Sequence, residues 1–417
     1  MKVVVIAGGQ GTRIASVNAE IPKAMIPING KPILEYEVEM AKRNGYTEFL
    51  FIIGYMGDQI EAYFGKGEKW GVSIEYYKEK TPLGTAGALG YLKKRLKEDF
   101  FIFYGDTIMD IDMHAMVEYH QSKKSDATLL VHPNDHPYDS DIVDVNHEGE
   151  IVHFYNKPHP EGFISRNLVN AALFIFSPKV LDYIEPCIKS QIEKHILPKC
   201  LANGLKLYGY ISFEYVKDMG TPDRYYSVCD DVISGKVARL NRKYSRPAIF
   251  LDRDGIITKE VNLLHRQEQL ELIEGVSEAI KYINHKGYLA IVVTNQSIIA
   301  RNLCSFEELE AIHAKLETLL GAEGAYLNAI YYCPHHPDGG YPEERKEYKI
   351  KCNCRKPAPG MLRQAALDWN INLKESIMVG DRESDVLAGE NAGCKASLQI
   401  EMNKPYALLN ALRELIK

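Results

Sequence analysis

The stretch Pro-Ala-Ile-Phe-Leu-Asp-Arg-Asp-Gly, residues 247–255, decides the fold of the second half of this chain. Its first five residues form a short apolar run that predicts a buried strand, and Asp252 and Asp254 follow directly. Two carboxylates one residue apart at a strand end suit a nucleophile and an acid/base group that share one Mg²⁺. Such a pair is often only a turn or a helix cap, so the interpretation depends on the motifs that follow.

Further polar groups stand at the ends of later predicted strands. The apolar run Leu289–Val293 leads into Thr294, where a hydroxyl and backbone amides can hold phosphate oxygens. Lys356 supplies a cation for a phosphoryl group. The run Ser376–Val379 ends in Gly-Asp, and Asp381 suits the shell of a hard cation. Because open α/β sheets bind ligands at the carboxyl edge, the ordered set predicts one phosphate-transfer site.

A Cys-X-His … Cys-X-Cys pattern lies between these motifs and consists of Cys333, His335, Cys352 and Cys354. Three thiolates and one imidazole match a closed tetrahedral zinc site, which has no open position for catalysis. The loop between the two pairs is polar and rich in Gly, Pro and charge, so a metal is needed to give it a fixed shape. The alternative is four unrelated side chains in a surface loop. We therefore expect a structural Zn²⁺.

Together these motifs resemble the haloacid dehalogenase superfamily of phosphotransferases over about residues 246–417. The zinc loop and the run Arg-Lys-Pro-X-Pro-Gly-Met are similar to the heptose bisphosphate phosphatases and the histidinol-phosphate phosphatases. The resemblance implies Asp252 as nucleophile and Asp254 as acid/base. It implies a Mg²⁺ shell from Asp252, Asp254 (through its carbonyl) and Asp381. The phosphate and substrate contacts that it implies are those of Thr294, Asn295, Arg301, Arg355 and Lys356.

The chain opens with an apolar run, Lys2–Ile6, which predicts a strand and is followed by a glycine-rich turn. Such a turn lets backbone amides approach phosphates closely, and the Gly-X-Gly-X-X-Gly spacing of dinucleotide folds is absent. Arg13 adds a guanidinium fork, and Lys23 adds a second cation. The candidate nucleotide-binding residues of the turn are Gly8, Gly9, Gly11 and Thr12.

The pairing of this turn with Pro-Lys-X-Met-X-Pro resembles the sugar-1-phosphate nucleotidyltransferases over about residues 1–235, and most closely those that transfer a guanylyl group to heptose 1-phosphate. The resemblance implies Asp106 and Asp218 as Mg²⁺ ligands, although loop capping is their alternative role. It places Lys157 on the sugar phosphate and Asn170 near the sugar. The base-binding loop that it implies contains Glu79, Gly84 and Thr85.

Glu79 favours GTP, because a carboxylate can accept from both N1–H and the 2-amino group of guanine. The alternatives are that Glu79 faces solvent or binds Lys78 or Lys80, and that backbone groups select the base.

With 417 residues, the chain suits two or three domains. We predict a transferase domain at 1–235, a basic and polar linker at 236–246 that could instead extend the preceding helix, and a phosphatase domain at 247–417. Alternating strands and helices predict an α/β protein, with a Rossmann-like mixed sheet first and a doubly wound parallel sheet second. The predicted helices are Ile33–Arg43, Thr85–Leu96, Met113–Ser122, Thr221–Ser234, Val276–His285, Phe306–Leu320, Gly360–Trp369 and Tyr406–Ile416.

The formal net charge of −6 offers no electrostatic case for nucleic acid or membrane binding, so we expect small-molecule partners. No apolar run reaches transmembrane length, and eight cysteines that include a metal pattern fit a reducing compartment. The expected location is the cytoplasm, and a homo-oligomer is compatible with the sequence.

The two inferred reactions are consecutive steps: removal of the 7-phosphate of a heptose bisphosphate, and nucleotidyl transfer to the remaining 1-phosphate. One alternative is a transferase for another sugar 1-phosphate fused to a phosphatase of different substrate, such as histidinol phosphate. The other is a regulatory or scaffold protein with one inactive domain.

Overall fold

The computed structural model of the chain describes residues 1–14, 16–18, 20–340 and 343–416, and the side chain of Thr12 also lies outside the described part. The chain divides into two compact units. Unit 1 comprises Met1–His132, Asp141–Asn156 and Val169–Asn241. Unit 2 comprises Pro133–Ser140, Lys157–Leu168 and Arg242–Lys417, so it includes two segments from the first half of the sequence.

Unit 1 is a mixed α/β fold whose main sheet has nine strands among the described residues. One run of neighbours has the order β10-β9-β11-β6-β1-β4-β5, while β8 pairs with β11 and β12 with β8. Two small sheets, β13-β7 and β2-β3, complete the unit. Its strands are β1 (Val3–Ala7), β2 (Pro27–Ile28), β3 (Lys31–Pro32), β4 (Glu48–Ile53), β5 (Ser73–Lys78), β6 (Phe100–Tyr104), β7 (Thr107–Asp110), β8 (Ala127–His132), β9 (Ile142–Val145), β10 (Ile151–Tyr155), β11 (Val169–Phe176), β12 (Leu207–Ile211) and β13 (Tyr215–Asp218).

The α-helices of unit 1 are α1 (Ile33–Arg43), α2 (Gly57–Phe64), α3 (Met113–Lys123), α4 (Leu197–Ala202), α5 (Pro222–Ile233) and α6 (Lys236–Arg239). The central strands β6, β1, β4 and β5 run parallel, and the apolar run of β1 is buried. Parallel strands present their carboxyl ends at the same edge of a sheet. Four loops that follow these strands therefore meet at one edge.

Unit 2 is built on a five-stranded sheet in the order β16-β15-β14-β17-β18, and every pairing in it is parallel. Its strands are β14 (Ala248–Leu251), β15 (Leu289–Asn295), β16 (Ala329–Cys333), β17 (Ile377–Gly380) and β18 (Ala396–Gln399). Its helices are α7 (Val276–Lys286), α8 (Phe306–Ala322), α9 (Gly360–Trp369), α10 (Glu383–Ala392) and α11 (Ala407–Leu415). The parallel sheet of the second half is thus the predicted one.

Seven of the eight predicted helices are present in the described part of the chain, with bounds that differ by at most two residues. The predicted helix Thr85–Leu96 is wrong, because only a 3-10 helix, Gly87–Leu92, forms there. Gly87 lies against the backbone of another loop, and a Cβ placed on it would be 2.5 Å from the carbonyl oxygen of Ile188. Tertiary packing of glycines, which are poor helix formers, overrides the apolar pattern. Helix α6 lies inside the predicted linker, whose role stays a prediction.

Candidate active sites

Three buried carboxylates meet at the carboxyl edge of the unit 2 sheet. Asp252 follows β14, Asp381 follows β17, and Asp385 lies in the first turn of α10. One oxygen from each carboxylate lies within 4.8 Å of the others. Asp385 was not predicted as a ligand, although its spacing of four residues from Asp381 is the signal that could have indicated it. Three carboxylates at this separation form a group that can hold a cation.

The cation Lys356 lies among these carboxylates and is itself buried. Its ammonium is 2.9 Å from Asp252 Oδ1 and 2.6 Å from Asp385 Oδ1, and it donates to the carbonyl oxygen of Val293 at 2.8 Å. Burial opposes the charged form of Lys356, but the two carboxylates outweigh it and the pKa of Lys356 is raised. Burial raises the pKa of Asp252 to about 6, against the pull of Lys356.

The residues at this edge fit a Mg²⁺ ion. Asp381 is buried, and neither of its carboxylate oxygens has a hydrogen-bond partner among the described residues. Burial and the neighbouring Asp385 raise the pKa of Asp381. Arg382 Nε lies 3.8 Å from Asp381 Oδ2, beyond hydrogen-bond distance. A buried carboxylate without hydrogen-bond donors is costly unless a cation compensates it, and hard divalent cations prefer oxygen ligands.

The side chain of Asp254 is held by four donors rather than directed to the other carboxylates. Arg253 donates from Nε and Nη2 to its two oxygens at 2.9 Å each, and Gln296 and Thr258 donate at 2.9 and 3.1 Å. Burial opposes ionisation, but Arg253 and the other donors lower the pKa of Asp254 below its usual value. The side chain of Asp254 is therefore ionised in the free protein. The resemblance implies that Asp254 contacts the metal through its backbone carbonyl oxygen, not through its side chain.

A cavity of about 360 Å³ opens above these groups. Thr294 and Asn295 line it together with Asp252, Asp254 and Lys356, so the predicted phosphate-binding residues of unit 2 are brought together. Further cationic or titratable side chains also line it: Arg301, Arg355, His336 and Arg382. The lining also contains Glu260, whose carboxylate lies 3.4 Å from Arg382 Nη2, so Arg301 and Arg355 are the guanidinium groups that add positive charge beyond the ion pairs.

The predicted zinc ligands form a compact cluster. Cys333 ends β16, and its Sγ lies 3.5 Å from that of Cys352 and 3.2 Å from that of Cys354. His335 Nδ1 is 3.6 Å from Cys333 Sγ and 3.4 Å from Cys354 Sγ. Such separations fit four ligands about 2.0–2.3 Å from one Zn²⁺. Arg355 Nη1 donates to the carbonyl oxygen of His335 at 3.0 Å, which connects the cluster to the cavity.

In unit 1, the glycine-rich turn and Glu79 lie side by side, because β1 and β5 end at the same edge. A Cβ placed on Gly8 would be 2.5 Å from Glu79 Oε2, so a larger residue there would displace the Glu79 carboxylate. Glu79 accepts from the backbone amide of Leu83 at 3.3 Å, and burial raises its pKa. Lys78 pairs instead with Asp58 and Glu61, which excludes it as the partner of Glu79.

The charged groups of unit 1 form pairs. Lys23 is in direct contact with Asp106, and Arg224 Nη1 donates to Asp218 Oδ1 at 2.7 Å. The amide of Met219 donates to the carbonyl oxygen of Asp106 at 3.0 Å, which brings the two carboxylate-bearing residues to the same place.

Arg13 and Gly11 lie beside these pairs. Arg13 is exposed, and its guanidinium lies 3.7 Å from a Cβ placed on Gly220. Gly11 has a φ of 61° and packs against Lys23, while Gly9 is exposed. The carboxylate pair has the donor chemistry that Mg²⁺ prefers, and both carboxylates are part exposed.

The other predicted unit 1 residues have different settings. Gly84 packs against Ser190, and the hydroxyl of Thr85 accepts from the amide of Ile192 at 2.9 Å. Asn170 Oδ1 accepts from the amide of Ala172 at 3.1 Å. Lys157 lies in unit 2, where its ammonium donates to the carbonyl oxygen of Asp139 at 2.6 Å and lies 3.1 Å from its carboxylate. The Thr12 side chain lies outside the described residues.

Two buried groups were not anticipated. Arg253 is fully buried and orients Asp254, although a residue between two aspartates gives no sequence signal of burial. Glu37 lies on the buried face of α1, and its Oε1 accepts from the amide of Thr107 at 3.4 Å. Burial, with the charge of Asp106 added, raises the pKa of Glu37 well above its usual value. A glutamate among the apolar positions of a helix is the signal that could have indicated it.

No helix in the described ranges is both long and apolar enough to cross a membrane. The family described as nucleotidyl transferase matches residues 2–235, and the HAD-hydrolase-like family matches residues 353–399.

Three curated relatives add detail. A D-glycero-beta-D-manno-heptose-1,7-bisphosphate 7-phosphatase of Haemophilus ducreyi is 41% identical over 160 residues, which cover 38% of this chain and 85% of that protein. A mannose-1-phosphate guanylyltransferase of Mycobacterium tuberculosis is 32% identical and a UTP–glucose-1-phosphate uridylyltransferase of Synechocystis is 29% identical. These matches cover 56% and 58% of this chain, and the chain spans about two thirds of each of the two proteins, 64% and 65%.

The chemistry of the two candidate sites, a glycine-rich turn in unit 1 and a carboxylate cluster in unit 2, thus agrees with the two matched families. The chain belongs to the nucleotidyl transferase family through residues 2–235 and to the HAD-like phosphatases through its second half.

Proposed function

We propose that the chain is a bifunctional enzyme of nucleotide-activated heptose synthesis. Unit 2 removes the 7-phosphate of D-glycero-D-manno-heptose 1,7-bisphosphate, and unit 1 transfers a nucleotidyl group, with GTP the favoured donor, to the heptose 1-phosphate. The observation that carries the substrate is the unit 2 cavity. It has Asp252 and Lys356 for the reacting phosphate, and Arg301 and Arg355 as cations for a second one. A bisphosphate uses both sets, whereas a monophosphate uses one.

The phosphatase reaction proceeds in two steps. A carboxylate oxygen of Asp252 attacks phosphorus, the bond from phosphorus to the sugar oxygen breaks, and that oxygen takes a proton from Asp254. Water then attacks the aspartyl-phosphate, Asp254 takes the proton of the water, and inorganic phosphate leaves. Lys356 holds the phosphoryl oxygens throughout. Mg²⁺ held by Asp252 and Asp381 would neutralise charge on the phosphoryl group.

The two steps need different protonation states of Asp254. Its lowered pKa in the free protein gives the ionised form, which suits the second step. The first step needs the protonated acid, and a phosphate monoester brings both a titratable proton and negative charge that favours protonation of a neighbouring carboxyl.

In the transferase reaction, an oxygen of the sugar 1-phosphate attacks the α-phosphorus of the nucleoside triphosphate, and pyrophosphate leaves. The glycine-rich turn and Arg13 would hold the triphosphate. Asp106 and Asp218 would hold Mg²⁺, which supplies charge neutralisation at the reacting phosphate. To do so they must exchange their present partners, Lys23 and Arg224, for the cation. The structural Zn²⁺ would fix the loop before Lys356.

One experiment tests both halves. The chain is incubated with heptose 1,7-bisphosphate, Mg²⁺ and each nucleoside triphosphate in turn, and the products are identified by mass. The expected products are inorganic phosphate, pyrophosphate and a GDP-heptose. A phosphatase that prefers histidinol phosphate, or a transferase that prefers another sugar 1-phosphate, would replace the heptose proposal. No turnover in one half would favour the scaffold alternative.

A further inference from the structure

A row of charged and polar side chains in unit 2 begins at Arg166. Arg166 is not one of the residues that line the catalytic cavity. Arg166 lies in the Lys157–Leu168 segment, which belongs to unit 2. Its Nε and Nη2 donate to Glu317 at 2.7 and 3.2 Å, and its Nη1 donates to Glu310 at 2.8 Å. Glu317 is buried and also accepts from the amide of Asn167 at 2.9 Å. Arg166 is thus fixed between two carboxylates of helix α8.

The next member of the row is His313, one turn along α8 from Glu310. Its Nε2 lies 3.3 Å from Arg253 Nη1. Its Nδ1 has no hydrogen-bond partner among the described residues and lies 3.9 Å from Glu310 Oε1, so the contact with Glu310 is electrostatic. A guanidinium can only donate, so Nε2 must be the acceptor and the ring proton must lie on Nδ1, toward Glu310. Burial lowers the pKa of His313, which keeps the ring neutral in this arrangement.

The row ends at the acid/base group. Arg253 and His313 are fully buried, so neither can replace a lost partner with water. Arg253 grips both oxygens of Asp254, as described above. Arg253 supplies two of the four donors that orient Asp254, beside Gln296 and Thr258. The remaining side of its guanidinium is held by His313, which in turn faces a carboxylate held by Arg166.

We propose that Arg166 is a positioning residue for Asp254. It acts through three intermediate side chains: Glu310, His313 and Arg253. This inference rests on the proposed phosphatase function. Without Arg166, the buried Glu317 loses its cation and repels Glu310, so Glu310 turns to solvent. His313 then loses the negative charge beside its Nδ1, and the ring that accepts from Arg253 is held less firmly.

Comparing two leaving groups separates a loss of proton donation from general damage to the fold, because damage would slow both substrates. A sugar alkoxide needs a proton from Asp254 to leave, whereas p-nitrophenolate is a stable anion and leaves without one. For Arg166→Ala we expect kcat on heptose 1,7-bisphosphate to fall about tenfold with KM within about twofold. The stopped-flow burst of p-nitrophenolate from p-nitrophenyl phosphate should stay within about twofold of the native rate.

Companion variants keep the test decisive if Arg166→Ala folds poorly. Arg166→Lys keeps the charge and should restore part of the lost turnover. Glu310→Gln keeps the shape of its side chain and should reproduce the leaving-group pattern. Arg413→Ala removes the same charge from an exposed position on α11 and serves as the control.

The outcomes separate this inference from the proposed function. A native chain that hydrolyses neither ester, or that keeps full turnover in Asp254→Asn, overturns the phosphatase proposal itself. A native chain that needs Asp254 but loses nothing in Arg166→Ala and Glu310→Gln overturns the positioning role alone. So does an equal loss on the two substrates.

Discussion

Units 1 and 2 gather the same kinds of side chain for chemistry on phosphorus but hold them in opposite environments. In unit 2, the side chains of Asp252 and Lys356 are only 11% and 2% exposed and form one network with Asp385. In unit 1, the side chains of Asp106 and Asp218 are 30% and 44% exposed and pair with Lys23 and Arg224. Removing one member of a buried network leaves an uncompensated charge, whereas an exposed pair contributes little. Removing one charged side chain should therefore lower the stability of unit 2 strongly and that of unit 1 only slightly.

The largest expected effect tests whether the two sites are separate at all. Asp252→Asn removes the proposed nucleophile and should lower phosphate release by at least about 1,000-fold, because removing a catalytic nucleophile costs this much or more. Nucleotidyl transfer from supplied heptose 1-phosphate should be unchanged. Asp106→Asn should show the reverse pattern. Phosphate and pyrophosphate release are measured on the full chain, and one substitution that abolishes both in a folded protein would refute the two-site interpretation.

The next effect concerns stability. Lys356→Met should destabilise unit 2 by about 3–5 kcal/mol in Mg²⁺-free buffer, because it leaves Asp252 and Asp385 buried without their cation. The matched variant Lys23→Met should destabilise unit 1 by less than about 1 kcal/mol, because Asp106 can be hydrated.

The chain offers a direct readout, since its two tryptophans are Trp70 in unit 1 and Trp369 in unit 2. Denaturant unfolding followed by fluorescence, in Trp369→Phe and Trp70→Phe backgrounds, reports on each unit by itself. Equal losses from the two lysine substitutions would remove the contrast between the sites.

The Cys/His cluster sharpens the comparison, because a Zn²⁺ held there would give unit 2 a second support. The folded chain should hold one Zn²⁺ by elemental analysis. Cys352→Ser should lower phosphatase kcat/KM by roughly 10- to 100-fold, the usual cost of disturbing groups that orient a metal site or its neighbours. The expected route is displacement of Arg355, which bonds to the carbonyl oxygen of His335. Transferase turnover is the internal control, and a zinc-free native protein or full phosphatase activity in Cys352→Ser contradicts the prediction.

The fold classes of both units could be predicted from the sequence, because apolar runs such as Val3–Ala7 and Ala248–Leu251 are local signals. Motifs at the ends of such runs are brought together by sheet geometry alone, as with Asp252 and Asp381. The failed helix at Thr85–Leu96 shows the limit of this logic: close packing of Gly87 against Ile188 is a nonlocal contact that no window of sequence contains.

The same limit explains what was missed. The pairing of Arg166 with Glu310 and Glu317, about 150 residues away in sequence, was not anticipated. Arginines and glutamates are common surface residues, so their pairing has no sequence signature. The burial of Arg253 and Glu37 could not be predicted either, because arginine and glutamate side chains are usually exposed.

The smallest effect concerns the choice of base in unit 1, where the open site should allow a change of specificity without loss of fold. Glu79 lies against Gly8 and is free of Lys78, which pairs with Asp58 and Glu61. An ionised Glu79 can accept from N1–H and the 2-amino group of guanine together, whereas the oxygens of uracil and thymine would face its charge. Charge-assisted hydrogen bonds contribute about 1.5–3 kcal/mol, which corresponds to a preference for GTP of about tenfold or more.

Glu79→Gln tests this preference, since the amide keeps the shape but offers both a donor and an acceptor. We expect kcat/KM for GTP to fall about tenfold while the values for UTP and dTTP change little. Uracil and thymine do not donate the pair of hydrogen bonds that the charged Glu79 carboxylate strengthens. The assay compares GTP, ATP, CTP, UTP and dTTP with heptose 1-phosphate. Lys80→Met serves as the control for a charge change beside Glu79. Burial raises the pKa of Glu79, so the GTP preference should weaken as pH falls and the carboxylate takes up a proton. A ranking of bases that is the same in the native chain and in Glu79→Gln would assign selection to the backbone of the Pro82–Gly87 loop instead.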